Sequence, residues 1–210
     1  SVKNAAAIIR EAHPGGAQPL IGKWIPKDFT PNDIKDGAGQ IRPSGRLSVF
    51  WNCQIIISAI AQALNQVTQI GNEKRMKDLG FELTRNDVID VYIVSSVCGG
   101  TGSGTFLDIA YLTRQACLNA GVSKINSTGI MVMAGAWTSG TRPVGMEANA
   151  YAALKELDYF MDKKTTFSCH YPSLPPVTTK EKPFDICYLV DSINANGRKL
   201  ADIEEVTEMI

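Results

Sequence analysis

A glycine-rich segment between a predicted strand and a predicted helix constrains this chain more than any other feature. The segment runs from Cys98 to Gly104 and has four glycines in the six positions from Gly99 onward. The β-branched stretch 88–94 before it predicts a strand, and the apolar spacing over 104–119 predicts a helix. In a parallel sheet, such a strand–helix junction lies at the carboxyl-end crevice, where ligands bind. The order therefore predicts an α/β fold with a ligand site at this junction.

The residue types of the segment favour a phosphate group as the ligand. Glycine has no Cβ atom to keep a phosphate away from the backbone. The N–H groups of the loop and of the first helical turn can then face the anion, assisted by the helix dipole. Thr101 and Ser103 add hydroxyl donors. A tight turn without a ligand needs only one or two glycines, so we expect Gly102→Val to block a phosphate site while leaving the sheet intact.

Two common phosphate motifs do not fit this segment. A P-loop requires lysine after its second glycine, and Thr105 occupies that position. A dinucleotide fingerprint requires its last glycine where Thr105 also stands, and an acidic residue about twenty positions further on. No Asp or Glu occurs between Asp108 and Glu147. Both alternatives are therefore disfavoured.

The rest of the chain alternates predicted strands and helices, which indicates a parallel sheet flanked by helices. Strands are predicted over 88–94, 128–134 and 184–190, and helices over 47–68, 104–119, 145–162 and 200–210. We interpret residues 1–210 as a single domain, with long loops over 13–46 and 165–183.

Charge and cysteine usage exclude several classes of protein. Twenty-one basic residues balance 21 acidic ones and are interspersed with them, so no nucleic-acid surface is indicated. The five cysteines are scattered, with no C-x-x-C pair and only two histidines in the chain, so we predict no metal site and a reducing compartment. No stretch resembles a membrane span or a signal peptide, and we expect a cytoplasmic protein.

Three sequence features resemble the tubulin/FtsZ superfamily. Residues 99–104 match its G-G-T-G-S-G signature, which also follows a strand and opens a helix in that family. Residues 37–46 have the form G-A-G-x5-G-R, similar to the FtsZ loop that lies over the terminal phosphate. The segment 147–158 resembles a helix of the prokaryotic tubulin-like domain proteins.

The resemblance implies a Rossmann-like tubulin/FtsZ nucleotide-binding domain that binds GTP or GDP with Mg²⁺. It implies phosphate contacts from Gly99, Gly100, Thr101, Gly102, Ser103 and Gly104, and contacts near the terminal phosphate from Gly37, Ala38, Gly39 and Arg46. Arg142 and Glu147 are candidates for the ribose, although their spacing differs from the E-G-x-x-R of FtsZ. Asn194 is the candidate that reads guanine, and a turn-forming role beside Gly197 is its alternative.

The same resemblance implies a domain that is incomplete at both ends. The first strand and glycine loop of the family do not precede Ser1, and its catalytic acidic loop lies beyond the long central helix, so no catalytic residue is assigned. In tubulins that loop acts on the nucleotide of the adjacent subunit. GTPase activity is therefore expected only if the full-length protein supplies such a loop.

Three functions remain open from the sequence. The first is a GTP-binding subunit of a cytoskeletal or scaffold filament whose GTP hydrolysis is completed by a neighbour. The second is a nucleotide-binding module that assembles or recruits partners without turnover. The third is an unrelated α/β enzyme with Cys98 as nucleophile, since a helix N-terminus lowers a thiol pKa.

Overall fold

Three parallel strands form the central sheet of the computed structural model. The model describes residues 24–25, 29, 37–68, 75–80, 88–122, 124–137, 143–193, 196–199, 205 and 208. The strands of this region are β1 (Val88–Ser96), β2 (Lys124–Val132), β3 (Phe167–Cys169), β4 (Val177–Thr179) and β5 (Ile186–Val190). The sheet has the order β1–β2–β5, and both pairings are parallel. This confirms the predicted α/β class.

Helices flank the sheet and form most of the core. They are α1 (Arg42–Thr68), α2 (Gly100–Asn119) and α3 (Met146–Met161), together with a short 3₁₀ helix, Ala134–Ala136. Apolar residues of α2 and α3 pack with Met131 of β2 and Phe184 in one buried cluster. Another cluster joins α1 to the opposite side of α2. Helix α2 is thus held between the sheet and α1, and its N-terminus is fixed in position.

The segment 165–183, predicted as a surface loop, contains an antiparallel hairpin instead. Strands β3 and β4 pair from Phe167 with Thr179 to Cys169 with Val177. The ring of Phe167 stacks on Tyr111 of α2 with the centroids 3.8 Å apart. Three-residue strands are too short to show a period-2 pattern, which explains why the sequence did not reveal them.

The predicted loop over 13–46 also ends earlier than expected. Helix α1 begins at Arg42, and Pro43 lies in its first turn, where a missing N–H breaks no helical hydrogen bond. Most of 13–36 and the helix predicted over 200–210 lie outside the described residues.

Helix α1 also corrects the expectation that no stretch resembles a membrane span. Its 26 residues Arg42–Val67 are long and apolar enough, by length and composition alone, to cross a bilayer. However, Leu47, Phe50 and Leu64 are buried in the clusters shared with α2. A core helix of a soluble protein meets the same criterion, and 28% of the apolar window of α1 is buried within the described structure.

Candidate functional site

The glycine-rich segment forms the first turn of α2 and not a loop before it. Gly99 is the N-cap residue with extended backbone angles, and the helix begins at Gly100, four residues earlier than predicted. The first four N–H groups of a helix have no intrahelical acceptor. The Gly100 N–H donates to the Gly39 carbonyl at 2.6 Å. The amides of Gly99, Thr101 and Gly102 belong to the same set of helix-end donors.

A cleft of about 350 Å³ opens in front of this helix N-terminus. Its size lies within the range of small-molecule sites. The described residues that line it are Gly39, Gln40, Ser96, Cys98, Gly99, Gly100, Thr101, Gly102, Trp137, Pro143 and Met146. No charged side chain is among these described residues, and the attraction that they offer to an anion comes from backbone amides and the helix dipole.

The G-A-G segment lies directly against this helix end, as the resemblance implied. Besides the Gly39–Gly100 bond, the Ala38 N–H donates to Thr101 Oγ1 at 3.2 Å. Gly37 and Gly39 have φ of 100° and 57°, a left-handed backbone that favours glycine. Thr101 is exposed, and its hydroxyl proton is still available to a ligand because the oxygen serves as acceptor in the bond from Ala38.

Three of the four signature glycines are required by contacts within the protein. A Cβ on Gly100 would lie 2.6 Å from Ile41 N, one on Gly102 would overlap Ser96 O, and one on Gly104 would overlap Arg42 O. A Cβ on Gly45 of α1 would overlap Gly100 O in turn. The sequence argument that sterics need only one or two glycines is therefore wrong. Gly102→Val would disturb the strand–helix junction, so it does not test ligand binding cleanly.

Gly99 is the exception among these glycines. Among the described residues, a Cβ there would meet only the Gly39 carbonyl oxygen, at an ordinary 3.9 Å. Its φ of −96° and ψ of 173° suit any residue. The protein itself does not require glycine at this position, whereas a phosphate approaching the amides would.

Ser103 and Gly104 do not line the cleft. The Ser103 hydroxyl donates to the Gly99 carbonyl, and the residue is 1% exposed. Both residues line a second cavity of about 280 Å³ on the α1 side of the helix. Ser103 therefore stabilises the helix start, and the structure does not place its hydroxyl at the cleft.

Arg46 is also placed away from the cleft. Its guanidinium forms two hydrogen bonds to the buried Asp108 carboxylate, at 3.0 and 3.3 Å, and lies 4.7 Å from the Trp24 ring centroid. Burial is the largest single effect and lowers the pKa of Arg46. The charge and hydrogen bond of Asp108, together with Cys169 and Tyr171, outweigh it, and the pKa is raised. Arg46 lines the second cavity, so the expected role at the terminal phosphate is corrected to a role in joining α1 to α2.

Asp108 connects this ion pair to the hairpin. Tyr171 donates its hydroxyl to Asp108 Oδ1 at 2.6 Å. Burial, together with the charge of Asp108, raises the pKa of Tyr171 and raises that of Cys169 to about 11. Tyr171 and Cys169 are therefore neutral at physiological pH, and the network holds one charge of each sign.

Cys98 does not have the environment of a nucleophile. The residue is 1% exposed, and its Sγ lies 3.6 Å from the Val132 carbonyl, to which it donates. A reactive thiol needs access and stabilisation as the thiolate. The geometry therefore disfavours the thiol-enzyme alternative.

The structure describes only one of the residues predicted to contact the ribose or the base. Glu147 is exposed in the first turn of α3, next to Met146, which lines the cleft. Arg142 and Asn194 lie outside the described residues. Within the described ranges, no group of three or more His, Cys, Asp or Glu side chains is arranged to hold a metal ion.

Sequence reasoning missed Asn149 of α3. Its side-chain nitrogen lies 3.1 Å from the Cys98 carbonyl and 3.0 Å from the Gln40 carbonyl, and both of these residues line the cleft. Trp137, which also lines the cleft, was missed as well. A polar residue at an inward-facing position of an apolar helix was the available signal for Asn149.

These features define a class: an α/β protein with a helix N-terminus that faces a cleft at the carboxyl edge of a parallel sheet. The chain matches the family model described as "Tubulin like" over residues 2–210, and it therefore belongs to the tubulin-like family. Searches of curated proteins and of solved structures found no match.

Proposed function

We propose that this chain is the guanine-nucleotide-binding part of a self-assembling, tubulin/FtsZ-like cytoskeletal or scaffold protein of the cytoplasm. The observation that carries the proposal is the N-terminus of α2, where Gly99 to Gly102 line a cleft together with Gly39. Membership of the tubulin-like family supports a guanine nucleotide as the ligand.

The nucleotide phosphates are proposed to lie between the two segments. Gly99 to Gly102 offer backbone donors, Thr101 offers its hydroxyl, and Gly37 to Gly39 lie nearby for the terminal phosphate. The described cleft lining has no carboxylate. A Mg²⁺ ion would therefore be held mainly by the phosphates and by water, as is common for this ion.

GTP hydrolysis is proposed to need groups from an adjacent subunit. Phosphoryl transfer to water requires a residue that positions the attacking water. The described residues lining the cleft include no Asp, Glu or His. A second subunit that contributes an acidic loop would complete the site, which couples hydrolysis to assembly.

The test measures GTP turnover and sedimentation across a range of concentrations of the full-length protein that contains this chain. We expect the rate per molecule to rise with protein concentration and to follow the pelleted fraction, since hydrolysis requires subunit contact. A rate per molecule that is independent of concentration would instead indicate a complete site within one chain.

The second candidate function is a non-catalytic nucleotide-binding module. The uncharged cleft lining favours it, because this lining supplies contacts for phosphates but no acid or base. GTP binding together with nucleotide-dependent assembly, but without phosphate release in the assembled protein, would establish this alternative.

The choice of base is predicted to depend on Asn194. If its side chain hydrogen-bonds guanine, Asn194→Ala leaves buried base groups unpaired, and we expect the preference for GTP over ATP to fall by ~1–3 kcal/mol. Calorimetric titrations with both nucleotides measure this preference, and Asn65→Ala on the exposed side of α1 is the matched control. An unchanged preference would direct the search to Asp191 and Asn196.

A further inference from the structure

We propose that Asn149 is a positioning residue that clamps the two phosphate-facing segments together, an inference that rests on the proposed function. It lies on α3, which contributes only Met146 to the cleft lining. Its side chain nevertheless bonds to both the segment before α1 and the junction before α2. The cleft width is therefore set from the third helix.

The contacts of one nitrogen atom carry this proposal. Nδ2 of Asn149 lies 3.0 Å from Gln40 O, 3.1 Å from Gln40 Oε1 and 3.1 Å from Cys98 O. All three neighbours are acceptors, so the nitrogen and not the oxygen of the amide faces them. Two protons shared among three oxygens leave no donor of this group for a ligand. Asn149 is thus committed to the protein backbone, and it is 9% exposed.

The two backbone acceptors are the neighbours of the phosphate-facing atoms. Gln40 follows Gly39, whose carbonyl accepts the Gly100 N–H, and Cys98 precedes the N-cap Gly99. Two direct bonds between these segments do not involve Asn149, one from Gly100 N to Gly39 O and one from Ala38 N to Thr101 Oγ1. We expect the cleft to be less ordered without the Asn149 side chain. Part of the binding free energy of the nucleotide would then be used to order it.

An aspartate at this position gives the sharpest test. Asn149→Asp has nearly the same shape, but its ionised carboxylate would face three oxygens with no proton to donate. Burial beside carbonyl oxygens raises the pKa of such a carboxyl group above its ordinary ~3.9. The protonated form has one O–H and restores one of the bonds. Affinity lost at high pH should therefore return as the pH falls.

Other titratable groups lie on the elements around Asn149, and the wild-type control corrects for their titration. They are Glu147 on α3 itself, the Cys98 thiol at the α2 junction, and Arg42 of α1, which pairs with Glu156 of α3 at 2.5 Å. The substitution leaves all of them in place. The informative quantity is the ratio of variant to wild-type affinity at each pH, in which their titration and that of the nucleotide cancel.

The experiment measures GTP affinity of the 210-residue chain by titration between pH 5.5 and 8, for wild type, Asn149→Asp and Asn149→Ala. We expect Asn149→Ala to lose about tenfold at every pH. Asn149→Asp should lose roughly 100-fold at pH 8 and regain about tenfold of it by pH 5.5. Asn65→Asp, on the exposed side of α1, is the matched control and should follow the wild type at each pH.

The outcomes separate this inference from the proposed function. If the wild type does not bind GTP, the proposed function fails and the inference falls with it. If the wild type binds and the Asn149→Asp ratio does not change with pH, only the clamp is overturned. Urea unfolding checks that each variant is folded. If Asn149→Asp is unfolded, Asn149→Ala carries the test, since it removes the donor, and an Asn149→Ala affinity equal to that of the wild type overturns the clamp.

Discussion

Replacing Gly99 with valine is expected to reduce GTP affinity by roughly two orders of magnitude, about 2.7 kcal/mol, while the nucleotide-free chain loses only the smaller stability difference between glycine and valine at an N-cap. Within the part of the chain that the structure describes, a Cβ at this position meets only Gly39 O at 3.9 Å, so the fold accommodates it. The remainder of the side chain would occupy the space through which a phosphate reaches the α2 amides. Each lost hydrogen bond to a charged phosphate oxygen costs about 1.5–3 kcal/mol, which accounts for the size of the effect.

The measurements are GTP titration and urea unfolding of three variants. Gly99→Ala adds only a Cβ and should lose less affinity than Gly99→Val. Ala59→Val, on the exposed side of α1, controls for added β-branched bulk in a helix. Gly102→Val should instead unfold at lower urea, because its Cβ would overlap Ser96 O. If folded Gly99→Val binds GTP with wild-type affinity, the phosphate does not bind at this helix end.

Replacing Asp108 with alanine is expected to lower the free energy of unfolding by about 3 kcal/mol. The substitution leaves the Arg46 guanidinium without its ion-pair partner and Tyr171 without the acceptor of its hydroxyl. The Arg46 side chain is 27% exposed, so water offsets part of the loss, and the effect should lie near the lower end for broken buried pairs. Urea unfolding measures the change.

A double variant separates the structural role of Arg46 from a role in binding. Arg46→Met together with Asp108→Leu removes both charges and retains similar volume, so stability should recover relative to Asp108→Ala. Because Arg46 lines the second cavity, the folded double variant should bind GTP like the wild type. A large loss of GTP affinity in this folded variant would show that Arg46 does contribute to phosphate binding.

The fold class was predictable because its signals are local. The β-branched stretch 88–94 and the apolar periodicity over 145–162 each need only a short window, and both agree with β1 and α3. The hairpin over 165–183 was not predictable, because its two strands have three residues each and are defined by packing on α2.

The proximity of the two glycine motifs was predictable, but the contacts around them were not. The motifs correctly brought residues 37–39 and 99–102 together, because both are short and continuous in sequence. The partner of Arg46 was not predictable, since Asp108 lies 62 positions away and only the crossing of α1 and α2 brings them together. Asn149 was missed for the same reason: its acceptors are backbone atoms of two other segments.

The most direct test of the central claim is a calorimetric titration of the 210-residue chain with GTP, GDP and ATP in the presence of Mg²⁺. We expect GTP and GDP each to saturate one site per chain, and ATP to bind more weakly. The Gly99→Val variant should lose this binding. Absence of saturable heat with GTP and GDP at millimolar concentrations, for a chain shown by urea unfolding to be folded, would contradict the account.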